Sequence, residues 1–271
     1  MDIPRLPLAA WLDDLVRWMQ FNLDAIFNPV KNGISAIDSA LRAALYFVPS
    51  YAVIAALVLF LLWRRRFGSA CWVGIGLALI VNLGLWHDTL DTCSLMLPAC
   101  GLAILIGGPL GILIAESRIA AATLIPALDY MQATPAFVYL IPAVLFFGIG
   151  ATPGVLATAA FALPPVSRAV ALGLREVKPP LVEAGTAFGA TRFQILLKVK
   201  LPLSRPYIVV GINQCIMMAL SMVVICALIG AGGLGVDVVT ALAQMNLPQG
   251  IEAGVAVVLL AMALDRTSAV K

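Results

Sequence analysis

Charge is scarce in this chain, and side chains able to do acid–base or metal chemistry are scarcer. Of its 271 residues 11% are charged, 8% are aromatic and only one, His87, is a histidine. Lysine never follows glycine, which excludes a phosphate-binding loop of the Gly-x-x-x-x-Gly-Lys-Ser/Thr kind. If ATP drives this protein, another chain hydrolyses it. The five cysteines, Cys71, Cys93, Cys100, Cys215 and Cys226, form no Cys-x-x-Cys pair and have a single histidine to join them. Zinc and redox chemistry are therefore not expected, and the thiols read as small buried apolar residues. A secretory leader is not expected either: the first 43 residues carry four basic and five acidic side chains and no apolar stretch with a small-residue cleavage site.

What the chain has is apolar length. With 62% hydrophobic residues and a mean hydropathy of +1.03, it falls in the all-α polytopic membrane class rather than among soluble enzymes. Apolar runs at 44–63, 71–86, 93–115, 132–147, 155–174, 207–229 and 251–264 approach or reach the roughly 20 residues that cross a bilayer. Pro126, Asp129 and Pro135 delay the fourth, and Pro164-Pro165 lie inside the fifth, as prolines can where neighbouring helices line a cavity.

Basic residues orient these runs. Arg64-Arg65-Arg66 ends the first, and a later stretch holds Arg168, Arg175, Lys178, Arg192, Lys198, Lys200 and Arg205 against only Glu176 and Glu183. Both should be cytoplasmic. Seven spans with an outside N-terminus and an inside C-terminus then put 13 of the 17 basic residues inside. Segments 87–91 and 148–154, without lysine or arginine, are expected outside, with His87 at the interface. Ahead of the spans, Trp11, Leu15, Trp18 and Phe21 or Asn22 repeat at helical spacing, which suits either an amphipathic helix on the membrane surface or a docking surface for a partner.

One polar interruption stands out: Pro179-Pro180-Leu181-Val182-Glu183-Ala184-Gly185-Thr186-Ala187-Phe188-Gly189, continuing to Leu201-Pro202. It reads as two short helices with a bend. The prolines suit a helix start, Ala184, Gly185 and Ala187 leave one helix nearly bare, and Gly189 supplies the permissive backbone that ends it.

The spacing Glu-Ala-Gly, three residues, Gly, nine residues, Val, one residue, Leu-Pro resembles the cytoplasmic coupling loop of ATP-binding-cassette importer permeases. It departs only in Gly185 for Ala and Val199 for Ile. The resemblance implies that Glu183, Ala184, Gly185, Gly189, Val199, Leu201 and Pro202, within a loop spanning about 175–205, dock on an ATPase subunit. It covers roughly 95–266 and implies a five-helix type I importer core, with 44–94 as two added spans, 1–43 as an external or interfacial segment and 267–271 as a cytoplasmic tail.

Further segments narrow it. Met131 to Pro142, Phe147-Gly148-Ile149-Gly150, Ala162-Leu163-Pro164-Pro165, Ala219 to Ile225 and Leu264-Asp265-Arg266 are similar to permeases of glycine betaine, proline betaine and choline importers. The implied protein is a plasma-membrane subunit importing a quaternary ammonium solute by alternating access. It has no catalytic, cofactor or metal site of its own, and ATP and Mg are bound by the partner. Implied partners are a second permease copy, two ATPase subunits and an external binding protein, expected to be separate because the chain stops soon after its last span. The alternatives are another small solute, such as an amino acid or sulfonate, or a stand-alone channel or carrier, which should show ionisable residues within its spans.

Polar residues in apolar runs, Thr134, Asn213, Gln214 and Ser221, are candidates for the translocation pathway or for interhelical hydrogen bonds. A quaternary ammonium has no donor and prefers aromatic faces, which adds Phe137 and Tyr139, beside Phe146 and Phe147. Gly232, Gly233, Leu234 and Gly235 read either as part of an outer gate or as a tight turn.

Overall fold

The computed structural model describes residues 17–268. A helical segment over 17–22 precedes α1 (Asp24–Phe47), α2 (Ser50–Trp63), α3 (Phe67–Asn82), α4 (Trp86–Glu116), α5 (Arg118–Ala133), α6 (Ala136–Phe147) and α7 (Ala151–Arg175). A short helix α8 (Pro179–Ala187) and a rod of α9 (Arg192–Ile195), a π turn (Leu196–Lys200), α10 (Leu201–Cys226) and a final 3-10 turn (Ala227–Ile229) follow. The described chain ends in α11 (Leu234–Ala243) and α12 (Leu247–Ser268), with no strand among the described residues.

Helix α7 is the centre, packed between α4 and α10. Glycines let the three backbones meet. A Cβ on Gly111 of α4 would stand 2.6 Å from the Ser167 carbonyl oxygen of α7, and one on Gly211 of α10 would stand 2.3 Å from Ala169 Cβ. Close approach through small residues is how helices associate where lipid removes the hydrophobic drive between them. Pro164 and Pro165 sit buried inside α7 without interrupting it.

Four units, α4, α7, the Arg192–Ile229 rod and α12, are long and apolar enough to cross a membrane. The bent pairs α1–α2, at 89°, and α5–α6, at 99°, raise the number to six if each pair counts as one crossing.

Several expectations are corrected. The apolar run 44–63 is not one helix: Pro49 pushes Val48 into extended backbone, and α1 stops at Phe47. Likewise Thr134 ahead of Pro135 is extended, so the helix expected from Gln132 starts at Ala136, and its 12 residues reach only about 18 Å. Residues 87–91 are the first turns of α4, not a loop. The second arm of the hairpin does not end at Leu201-Pro202 but runs on into α10, the π turn at Leu196–Lys200 carrying the helical backbone past the proline. Helix α11 was not expected; ten residues long, it folds back onto α12 through the left-handed Met245. Cys71 is exposed on the outward side of α3, although Cys100, Cys215 and Cys226 are buried as expected.

Of the helix expected ahead of the spans, only 17–22 is among the described residues. Trp11 and Leu15 lie outside the described residues, and Trp18 and Phe21 are exposed. Yet α1 is docked on the bundle: the Phe27 ring lies 5.0 Å from Phe146 and 5.4 Å from Phe147, and buried Asp38 accepts from Ser94 Oγ at 2.9 Å.

Candidate functional site

Three places carry the residues singled out by sequence. At one end of the bundle, α8 projects with none of its residues buried. Its stop is a complete Schellman cap: Gly189, at φ +79°, donates to Thr186 O, and Ala190 donates to Gly185 O. Two residues later Thr191 and Gln194 form a capping box, side chain to backbone in both directions. The chain therefore reverses within four residues. Ile195 is buried in the crook, and a Cβ on Gly185 would lie 3.5 Å from Ile195 Cγ1 and 3.9 Å from Val199 Cγ2. Gly185, Ile195 and Val199 thus hold the arms together and leave Glu183 and Ala184 outward, with Phe188 93% exposed at the tip. Lys200 Nζ reaches Glu116 Oε1 at 2.5 Å, and Arg175 donates to the Ile114 carbonyl at 2.7 Å, which ties the hairpin base to the end of α4.

Within the hairpin-side half of the bundle lies a cavity of about 600 Å³. Gln132 of α5, Pro165, Arg168, Ala169 and Leu172 of α7, and Pro206, Tyr207, Val210 and Gln214 of α10 line it. Arg168 stands seven residues inside the end of α7, about two turns, so it belongs to the helix and not to the loop whose charge it was counted with. One guanidinium nitrogen bonds the Asp129 carboxylate, and its Nε is buried without a partner.

At the opposite end, Gly232-Gly233-Leu234-Gly235 make a tight turn wedged between α4 and α10. Gly232 and Gly233 have φ +92° and +79°, and a Cβ on Gly235 would stand 2.6 Å from Val224 O. Thr92 Oγ1 accepts from Leu234 N at 2.9 Å. Beside it Arg42 of α1 bridges Asp38 at 3.1 Å and Asp91 at 3.2 Å, and Tyr46 donates to Asp91 at 2.8 Å. The tight-turn geometry is there, and α1 is latched to it.

Of the pathway candidates only Gln214 lines the cavity. Asn213 Oδ1 is buried next to it with no partner. Thr134 and Ser221 bond carbonyls of their own helices, Tyr130 and Met217. Tyr139 donates to Met131 O and stacks on Phe161, while Phe137 is exposed. Sequence reasoning missed Gln132, Arg168 and Tyr207 as a group; the signal was an Asp129 and an Arg168 within apolar stretches, each a candidate for the other's partner. Among the described residues no cluster of three or more His, Cys, Asp or Glu could hold a metal ion.

A helical bundle joined through glycines, crossed by membrane-length helices and carrying an exposed helical hairpin at one end, defines a polytopic membrane transport subunit. Residues 107–265 match the binding-protein-dependent transport system inner membrane components, and the chain belongs to that family. It is 42% identical to the glycine betaine transport system permease protein OpuAB of Bacillus subtilis over 97% of this chain and 94% of that one. It is 45% identical to the glycine betaine/carnitine transport permease protein GbuB of Listeria monocytogenes over 98% and 95%. The inward-facing MetNI methionine ABC transporter superposes with a TM-score of 0.59 at 23% identity, covering 66% of this chain and 91% of that one, which shows the shared fold. Members of the family are multi-pass inner-membrane permease subunits, not enzymes; ATP hydrolysis belongs to a separate ATPase, and a binding protein and dimerisation complete the machine in general.

Proposed function

We propose that this chain is the permease subunit of an ATP-driven importer for a quaternary ammonium compatible solute, glycine betaine first, with proline betaine and choline in the same class. Two copies pair with two ATPase subunits and receive solute from a separate external binding protein. The hairpin end faces the cytoplasm and the Gly232–Gly235 turn faces outside, with an outside N-terminus and α1 lying along the outer face. The observation that carries the reading is the hairpin: a bare helix with outward Glu183 and an almost wholly exposed Phe188, on a rod that continues into the bundle. An exposed apolar tip on a rigid support fits a partner's groove. Closure of the ATPase dimer moves α8, and the rod carries that movement to the cavity wall; ATP shifts the conformational equilibrium only by its differential affinity for the two states.

The test is uptake of glycine betaine by the assembled complex. Glu183→Arg should abolish uptake while the chain still inserts in the membrane; normal uptake would remove the docking role of α8. Purification in mild detergent should bring the ATPase with the permease at about one per chain.

A further inference from the structure

We propose that Arg168, on the wall of the hairpin-side cavity, and the half-exposed Asp129 paired with it bind the solute's two charges, with Arg168 receiving a carboxylate. The inference rests on the functional reading above and deepens it: the solute class becomes the quaternary ammonium carboxylates, and choline, which has no carboxylate, is a poor occupant.

The geometry comes first. A cavity of about 600 Å³ falls within the roughly 300–1,000 Å³ of small-molecule sites. Its lining is apolar except for Gln132, Gln214, the Tyr207 phenol and Arg168. The close contact of Gly211 with Ala169 fixes α10 against α7 between these groups, so the wall is held at the position next to Arg168.

The chemistry follows from the pairing. Arg168 bonds Asp129 through one terminal nitrogen, while its Nε stays buried and unpartnered. A guanidinium used through one nitrogen has capacity left for a second, bidentate carboxylate partner, which suits Arg and not Lys. A zwitterion can enter the pair itself. Its carboxylate goes to Arg168, its trimethylammonium lies between Asp129 and the Tyr207 ring on the cavity wall, and the pair with its solute stays neutral. Quaternary ammonium groups have no donor and are held by aromatic faces. Because Arg168 is shared between the solute's carboxylate and Asp129, the net gain is small and the solute is held weakly. A translocation site requires that, since it must let go as readily as it takes.

The test uses the complete complex in proteoliposomes with glycine betaine as probe. Arg168→Gln should lower uptake at least tenfold with ATPase association retained. Arg168→Gln combined with Asp129→Asn leaves no lone charge, so a merely structural pair would bring uptake back to within about twofold of wild type, and that result overturns the proposal. The site instead keeps the double variant as defective as the single one. A second measurement does not depend on transport: in a Cys71→Ser background, Val210→Cys on the cavity wall is labelled with a thiol reagent. Glycine betaine should slow labelling severalfold, choline should not, and Arg168→Gln should remove the protection. Equal protection by choline, or none by glycine betaine, overturns the proposal. Failure of the wild-type complex to take up glycine betaine would overturn the functional reading, and the site with it.

Discussion

Gly233 and Thr92 are in such close contact that a Cβ on Gly233 would stand 2.6 Å from Thr92 Oγ1 and 3.0 Å from its backbone nitrogen. The same hydroxyl accepts from Leu234 N, so a single threonine on α4 both shapes the turn and caps the start of α11. Gly233 also has φ +79°. Gly233→Ala should therefore cost about 3 kcal/mol, from left-handed strain plus overpacking against backbone. Gly84, at φ +76° with open space around its Cβ position, offers the control. Gly84→Ala should cost about 1 kcal/mol. Thermal unfolding of the two variants in one detergent measures the difference, and equal losses would show that contact with Thr92 contributes nothing.

The contact between Gly211 and Ala169 can be exchanged between helices. Gly211→Ala brings two methyl carbons within 2.3 Å of one another and should destabilise the bundle by about 2 kcal/mol. Adding Ala169→Gly moves the methyl from one wall to the other and should recover most of the loss. If the pair is no more stable than the single variant, backbone shifts rather than this contact set the α7–α10 distance.

Gly185 is where the hairpin departs from the Glu-Ala-Ala pattern, and the structure has room for the missing methyl. Its Cβ would make ordinary contacts at 3.5 and 3.9 Å with Ile195 and Val199. Gly185→Ala should keep wild-type uptake and ATPase association. Gly185→Trp must part the two arms and should lose association. Co-purification with the ATPase reads both outcomes.

Arg42 answers two carboxylates, Asp38 and Asp91, and Asp38 is the buried one. Arg42→Gln should destabilise the protein by about 2–3 kcal/mol, chiefly by leaving Asp38 uncompensated. Arg42→Gln with Asp38→Asn should regain much of this, since the amide keeps a partner for Ser94 without the charge. Thermal unfolding with and without 1 M salt checks it; a salt-sensitive loss would mean that the cluster is solvated rather than buried.

The sequence was most informative where a short-range rule and the global pattern agree. Long apolar runs became α4, α7, α10 and α12, and the Pro179-Pro180 start and Gly189 stop of α8 stand where the residues put them. Hydropathy misread the runs around Pro49 and Pro135, because an averaged window cannot see that one pre-proline residue turns the chain through about a right angle. Leu234–Ala243 was invisible for a related reason: ten largely apolar residues are too short to count as a crossing, and only packing on α12 says that they fold back. The coupling-loop residues formed a contiguous stretch and could be read as one. The cavity residues could not, since Gln132, Arg168, Tyr207 and Gln214 come from three helices and meet only when glycine contacts set those helices' spacing.

From Arg192 to Ile229 the backbone never leaves the helix, so the second arm of the hairpin, the cavity wall and the carbonyl of Ile229 that accepts from Gly150 N belong to one stiff body of 38 residues. At about 1.5 Å per residue it is close to 57 Å long. Its irregularities are the π turn at Leu196–Lys200, next to the Lys200–Glu116 tether, and the closing 3-10 turn at Ala227–Ile229. A lever with its fulcrum that near one end gains amplitude: a small tilt delivered at Glu183 sweeps a larger arc at Ile229, so the hairpin end and the Ile229 end of the bundle are coupled.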